Sequence, residues 1–162
     1  MRSVLTACVL FFTVVLATPP IQADESRLFV RGSFAEILKH HEGKPLVVNF
    51  WSVTCPPCMA EMPLWKNLRE TSPEIGFVLV ATDSPEQESR IDRILNRYGL
   101  AEADSWVFAD PFIERLRYDV DKKWRGELPR TYFIDKNGNQ TGHSGIVEAA
   151  ALKAWVAQEA GP

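Results

Sequence analysis

The chain has 162 residues, 46% of them apolar and 24% charged, a balance typical of one globular domain. The formal net charge is −3, and no basic patch in the sequence indicates a nucleic-acid partner. Composition also excludes a long charged disordered tail, since no extended run of like charges occurs. The chain is therefore expected to fold as one ordinary domain. We also expect a monomer, although length and composition do not decide between monomer and dimer.

The N-terminal 23 residues are predicted to be a signal peptide rather than part of the fold. Arg2 supplies a positive start, and residues 4–17 form an almost unbroken apolar run. We expect cleavage after Ala23, which would leave a folded domain at 24–162 outside the cytoplasm, for example in a periplasm. An uncleaved membrane anchor is the alternative, although the run is short for a membrane span.

The apolar pattern of the domain predicts alternating strands and helices. After a short strand at 28–30, Ser33 and Glu36 have the spacing of a capping box at the start of a helix. The run 46–51 predicts a buried strand, and a helix follows that should bend at Pro63. The remaining predictions are helix 56–69, strand 75–81, helix 84–98, strand 106–108, helix 111–118, strands 131–134 and 140–143, and helix 147–158.

This order predicts an α/β fold with a mixed central sheet that helices flank on both faces. Asn137-Gly138 between the last two strands is a strong hairpin signal. The inward positions expected in the last two helices are Phe112, Ile113, Leu116, Val147, Ala151, Leu152, Trp155 and Val156.

Cys55 and Cys58 are the candidate reactive residues. The first should sit at a helix N-terminus, where the helix dipole and free backbone N–H groups favour a thiolate. We expect Cys55 to attack disulfides and the more buried Cys58 to resolve the mixed disulfide. A purely structural disulfide would close a ring so small that it stabilises by only about 2 kcal/mol. Zinc needs four ligands, and the domain offers two sulfurs plus His40, His41 and His143, so no metal or other cofactor is predicted.

The stretch from Val48 to Pro63 reads Val-Asn-Phe-Trp-x-x-x-Cys-Pro-Pro-Cys-x-Ala-Glu-Met-Pro. It resembles the active-site signature of exported thioredoxin-like oxidoreductases of the TlpA/ResA/CcmG group. The resemblance extends over most of the chain after residue 30. It implies a thioredoxin-like fold for residues 24–162, with residues 84–108 as an additional helix and strand.

The resemblance also implies two further catalytic residues. Pro129 is expected to follow a cis peptide bond and to lie against the disulfide, with Leu128 offering its backbone to a passing peptide. ResA-like proteins carry a glutamate where this chain has Glu61, three positions after Cys58. A partly buried carboxyl there would have a raised pKa and could exchange protons with the resolving thiol. A solvated carboxylate on the helix surface is the alternative.

Several residues are predicted to form the substrate-binding rim of this site. Thr54 stands where typical thioredoxins have tryptophan, and Arg130 stands where the family often has threonine, so both should affect substrate preference. Asn49 occupies the place of the buried aspartate of typical thioredoxins. The predicted substrate contacts are Trp51, Thr54, Pro56, Leu128 and Arg130.

The leading functional prediction is an exported reductase of disulfides in partner proteins. The resemblance implies substrates such as cytochrome c or copper proteins during their maturation, and a membrane thiol carrier as electron donor. One alternative is an oxidase or isomerase, because the same dithiol can work in either direction. The other is a copper-binding chaperone in which Cys55, Cys58 and His143 hold Cu(I).

Overall fold

The computed structural model describes residues 26–159, so the predicted signal peptide at 1–23 lies outside the described residues. Six strands and five helices follow one another in this part of the chain. Their bounds are β1 Arg27–Phe29, α1 Ser33–His40, β2 Leu46–Trp51, α2 Pro56–Thr71, β3 Gly76–Ala81, α3 Glu88–Tyr98, β4 Asp104–Phe108, α4 Ile113–Val120, β5 Arg130–Ile134, β6 Gln140–Ser144 and α5 Ala149–Glu159.

The strands form one mixed sheet in the order β1-β4-β3-β2-β5-β6, as the alternating pattern predicted. The strands β1, β4, β3 and β2 are parallel to one another, whereas β5 is antiparallel to both β2 and β6. The carboxyl ends of β2 and β3 therefore meet the amino end of β5 at one edge of the sheet. Residues that follow β2, follow β3 or precede β5 are brought together at that edge.

Alternate residues of β2 point to opposite faces of the sheet and lie in different cores. Val47 and Trp51 pack in a core with α2, α3 and α5, whereas Val48 and Phe50 pack in a core with α1 and α4. All six residues of β2 are buried, as expected of a central strand that helices cover on both faces. The helix that carries Cys58 thus shares its face of the sheet with α3 and α5.

The capping box predicted at Ser33 is wrong. Gly32 takes the N-cap position with a φ of 90°, a left-handed backbone conformation that glycine adopts easily because it has no Cβ. The Ser33 hydroxyl accepts a hydrogen bond from the Val30 N–H at 3.0 Å and makes no capping bond to the helix. Ser33 therefore closes the turn before α1 instead of satisfying the first helical N–H groups.

Two predicted core positions lie on the surface. Phe112 is 52% exposed, and the guanidinium carbon of Arg115 lies 4.1 Å from its ring centroid. The reason is that α4 begins only at Ile113, so Phe112 precedes the helical turn that carries the apolar stripe. Ala151 is also exposed, whereas the neighbouring Leu152 is buried in the core beside α2.

The longest helix, α2, continues through Pro63 to Thr71 without interruption, and the bend predicted at Pro63 remains a prediction. Across residues 26–159, no helix combines the length and the apolar character that crossing a bilayer requires.

Candidate active site

The disulfide between Cys55 and Cys58 lies at the N-terminus of α2, directly after β2 and a three-residue loop. Cys55 is the N-cap residue and is partly exposed, whereas Cys58 is only 1% exposed. Pro56 and Pro57 fill the first two helical positions and have no N–H groups. The first helical N–H is thus that of Cys58, which donates to Cys55 Sγ at 3.2 Å. The same donor would stabilise a thiolate on Cys55.

The loop between β2 and Cys55 is fixed by Asp83, a residue that the sequence analysis missed. The Asp83 carboxylate accepts hydrogen bonds from the Ser52 hydroxyl and from the Val53 N–H, both at 2.9 Å. The Ser52 hydroxyl also accepts from the Thr54 N–H at 3.1 Å. A signal was available, because Asp83 follows β3 closely and the ends of neighbouring parallel strands meet at one edge.

Pro129 precedes β5 and follows a cis peptide bond with Leu128, as predicted. Its carbonyl accepts a hydrogen bond from the Gly145 N–H at 2.9 Å. Leu128 is partly buried and packs against both cores, at the edge of the sheet where β2 ends. Pro129 and Leu128 therefore lie at the same edge as the disulfide.

Glu61 is 1% exposed, so the alternative of a solvated surface carboxylate is wrong. Its Oε1 accepts from the Val147 N–H at 2.6 Å, and its Oε2 accepts from the Asn49 amide at 3.4 Å. The same amide group donates to Thr131 Oγ1 at 3.0 Å. Burial raises the pKa of Glu61 above its ordinary value, and the bonds from Val147 and Asn49 oppose that rise. A buried carboxyl that can hold a proton thus lies one helical turn beyond Cys58.

Among the predicted substrate contacts, burial corrects the prediction for Trp51. Its side chain has no exposed surface and packs in the core beside Cys58 and Val53, so it lies under the site and cannot touch a partner protein. Thr54 and Pro56 are exposed on either side of Cys55 and remain candidate contacts.

Arg130 is engaged inside the protein and is 12% exposed at its side chain. Its guanidinium group donates to Asp121 Oδ2 at 2.9 Å and to Ser144 Oγ at 2.7 Å, and it lies 4.8 Å from the ring centroid of Tyr132. These bonds tie the segment before Pro129 to β5 and β6. Direct contact of Arg130 with substrate stays a prediction.

A second feature that the sequence analysis missed is the loop after β6. Its Gly145 N–H bonds to the Pro129 carbonyl, and its Val147 N–H bonds to Glu61. Between these two anchors Ile146 is 47% exposed. The loop thus presents an apolar side chain beside Pro129 while holding the buried carboxyl.

Within residues 26–159, no group of three or more His, Cys, Asp or Glu side chains is placed to hold a metal ion. His143, the third ligand of the copper alternative, has its Nε2 3.1 Å from the carbonyl oxygen of Ile146. Its ring is thus engaged with the loop after β6.

The AhpC/TSA family model matches residues 33–140, about two thirds of the chain. Curated relatives include the thiol-disulfide oxidoreductase ResA of Halalkalibacterium halodurans, 39% identical over 101 residues, and ResA of Bacillus anthracis, 32% identical over 101 residues. These alignments cover 62% of this chain and 53% and 54% of the two relatives. The chain thus spans about half the length of the curated relatives it matches.

Solved structures extend the likeness to the fold. A secreted disulfide oxidoreductase of Mycobacterium tuberculosis, described as homologous to E. coli DsbE, has a TM-score of 0.61 at 24% identity, over 74% of this chain and 85% of that one. A thiol:disulfide interchange protein of Chlorobium tepidum has a TM-score of 0.60 at 24% identity, over 76% and 84%. Both show that the fold is thioredoxin-like, as predicted. With its Cys-Pro-Pro-Cys helix and its thioredoxin-like sheet, the chain belongs to the AhpC/TSA family and is a thioredoxin-like protein of the TlpA/ResA/CcmG type.

Proposed function

We propose that this protein is an exported thiol-disulfide oxidoreductase that reduces disulfides in partner proteins. The observation that supports this most directly is the position of Cys55 Sγ, partly exposed at the start of α2 and accepting the first helical N–H. A thiolate there is stabilised by the helix terminus and is open to a partner disulfide.

In the first step the reduced protein presents Cys55 as a thiolate and Cys58 as a thiol. The Cys55 thiolate attacks one sulfur of the partner disulfide, which forms a mixed disulfide and releases the other partner sulfur as a thiolate that takes a proton from water. Thr54, Pro56 and Ile146 are exposed around this point, and we assign them to contact with the partner.

In the second step Cys58 resolves the mixed disulfide. Its thiol must lose a proton before it attacks Cys55 Sγ, and the nearby ionised Glu61 carboxyl can take that proton. The attack forms the Cys55–Cys58 disulfide and releases the partner's second sulfur, so two electrons pass from the dithiol to the partner. Burial raises the pKa of Glu61, so its carboxylate accepts a proton more readily than an exposed carboxylate would.

The oxidised protein must then regain two electrons from a dithiol donor, for which we propose a membrane thiol carrier. We place the protein outside the cytoplasm, because the N-terminal sequence has the signal-peptide pattern and a structural neighbour is described as secreted. Cytochrome c and copper proteins undergoing maturation are the proposed substrates, and a monomer is the proposed state.

The reduction potential of the Cys55–Cys58 pair tests the direction. The protein would be equilibrated with thiol redox buffers of graded potential, and the two free thiols would be counted by alkylation. A value near that of thioredoxin, about −270 mV, supports a reductase that depends on a donor. A value near about −120 mV would overturn the reductase proposal in favour of an oxidase.

Trapping of the mixed disulfide tests the residue roles. Cys58→Ser should accumulate a mixed disulfide through Cys55 when the reduced variant meets a peptide disulfide, because no resolving thiol remains. Cys55→Ser is the matched control and should trap far less, since Cys58 is buried. Equal trapping by the two variants would contradict the assignment of Cys55 as the attacking residue.

A further inference from the structure

The charges on α3 are segregated to two sides of the helix. Arg90, Arg93 and Arg97 fall within about 60° of one another at 100° per residue. Glu88 and Asp92 fall on another side, about 100° or more away. All three arginines are exposed, so one side of this helix presents three cations to solvent in a chain whose net charge is −3.

These three arginines are not neutralised by neighbours. In the part of the chain that the structure describes, none of them forms an ion pair with a carboxylate. The ion pairs in this part of the chain hold Arg27, Lys66 and Arg130, and none of these three residues lies on α3. Three unpaired cations on one face repel one another, and an anionic group bound between them would lower that repulsion.

The arginines line an open groove between α3 and the active-site helix. The other lining residues are Met59, Ile94 and Tyr98, all partly buried, so the floor is apolar and no acidic side chain contributes to the lining. Met59 directly follows Cys58 in α2, so the groove begins one residue from the disulfide. A partner chain whose disulfide reaches Cys55 could therefore continue along this groove.

We propose that this groove, formed by Met59, Arg90, Arg93, Ile94, Arg97 and Tyr98, docks an acidic segment of the protein whose disulfide Cys55 attacks. This inference rests on the proposed thiol-disulfide exchange and adds a feature of its substrates, namely carboxylates close to the target cysteines. Guanidinium groups pair with carboxylates in forked geometry, and unpaired charges of one sign beside a reactive group raise the association rate of oppositely charged partners.

The test compares two synthetic peptides with the same intramolecular disulfide, one followed by a run of Glu and the other by a run of Gln. The reduced protein should react with the Glu peptide about tenfold faster at low salt, and high salt should abolish the difference. Bis(2-hydroxyethyl) disulfide serves as a small neutral substrate that cannot use the groove.

The deciding variant carries Arg90→Gln, Arg93→Gln and Arg97→Gln together. It should lose the preference for the Glu peptide and keep the wild-type rate with the small disulfide. The matched control neutralises three exposed lysines away from the groove, Lys39→Gln, Lys136→Gln and Lys153→Gln, and should keep the preference.

Equal rates of the wild-type protein with the two peptides would overturn the docking proposal while leaving the exchange activity intact. A preference that survives in the arginine variant would overturn the location. Failure of the wild-type protein to reduce any of the three disulfides would overturn the proposed function itself. Binding to anionic phospholipid vesicles that the arginine variant abolishes, without any peptide preference, would assign the groove to a membrane surface and overturn a protein partner.

Discussion

Glu61→Gln is the substitution that tests the buried carboxyl beneath the disulfide most sharply. Gln has nearly the same shape, and its side-chain oxygen can still accept the hydrogen bond from Val147 N–H. It cannot ionise, so it separates the effect of the charge from the effect of packing. At low pH Glu61 is protonated, both side chains are neutral, and the unfolding free energies should differ by less than about 1 kcal/mol, one neutral hydrogen bond.

The difference between the two proteins should grow as the pH rises. Burial holds the folded-state pKa of Glu61 above the ordinary value of 4.5. In the unfolded chain Glu61 has the ordinary pKa. At a pH between the unfolded-state pKa and the folded-state pKa, the folded protein keeps the proton on Glu61 and the unfolded chain has lost it. The protonated carboxyl therefore contributes its full stability below about pH 4.5, and this is lost as the pH rises through the folded-state pKa, at up to about 1.4 kcal/mol per pH unit. The unfolding free energy of Glu61→Gln should not fall in this way, because Gln does not ionise. Each kcal/mol of difference in unfolding free energy corresponds to roughly 3 °C in Tm.

The assay is urea-induced unfolding of the oxidised proteins without thiols, followed by tryptophan fluorescence between about pH 4 and pH 8. Glu36→Gln removes one exposed carboxylate of α1 and corrects for the loss of a single charge. A gap between wild type and Glu61→Gln that stays constant, or that favours the wild type at higher pH, would refute the reasoning. Such a result would mean that the hydrogen bonds from Val147 and Asn49 outweigh burial in setting the pKa.

Three further substitutions test contacts around the site by denaturant unfolding. Asp83→Ala should lower the unfolding free energy by roughly 2–3 kcal/mol, because the Val53 N–H loses its acceptor. Asp83→Asn should lower it by less, and equal losses in the two variants would contradict this reasoning. Gly142→Ala should lower the unfolding free energy by about 1–3 kcal/mol, because the new Cβ would lie 2.9 Å from Cζ of Arg130. The guanidinium group of Arg130 is held by several bonds, so an unchanged denaturant midpoint would show that it moves freely. Trp124→Ala should lower the unfolding free energy by roughly 3–5 kcal/mol, because the Trp124 side chain is 3% exposed and its ring centroid lies 4.8 Å from that of Phe50. A decrease of less than about 1 kcal/mol would show that the segment before Pro129 is held without this side chain.

The sequence alone predicted the mixed sheet and the reactive end of α2, because both depend on local pattern. Cys55 and Cys58 lie within one helical turn, so the backbone N–H that reaches Cys55 Sγ comes from the same four-residue stretch. The two intervening prolines restrict that turn whatever surrounds it. Local rules failed at Ser33, where a glycine one position earlier offered another way to begin the helix.

Tertiary structure decided the surroundings of the reactive pair. Glu61 is buried and bonded because Val147, 86 residues later, brings its N–H to the carboxyl, and spacing along α2 could not distinguish this from a surface position. Asp121 and Ser144 bind the Arg130 guanidinium group from both sides along the chain, and the sequence alone did not predict these partners. The physical reason is that burial, pKa and ion pairing depend on neighbours far apart in the chain, which only the folded sheet brings into contact.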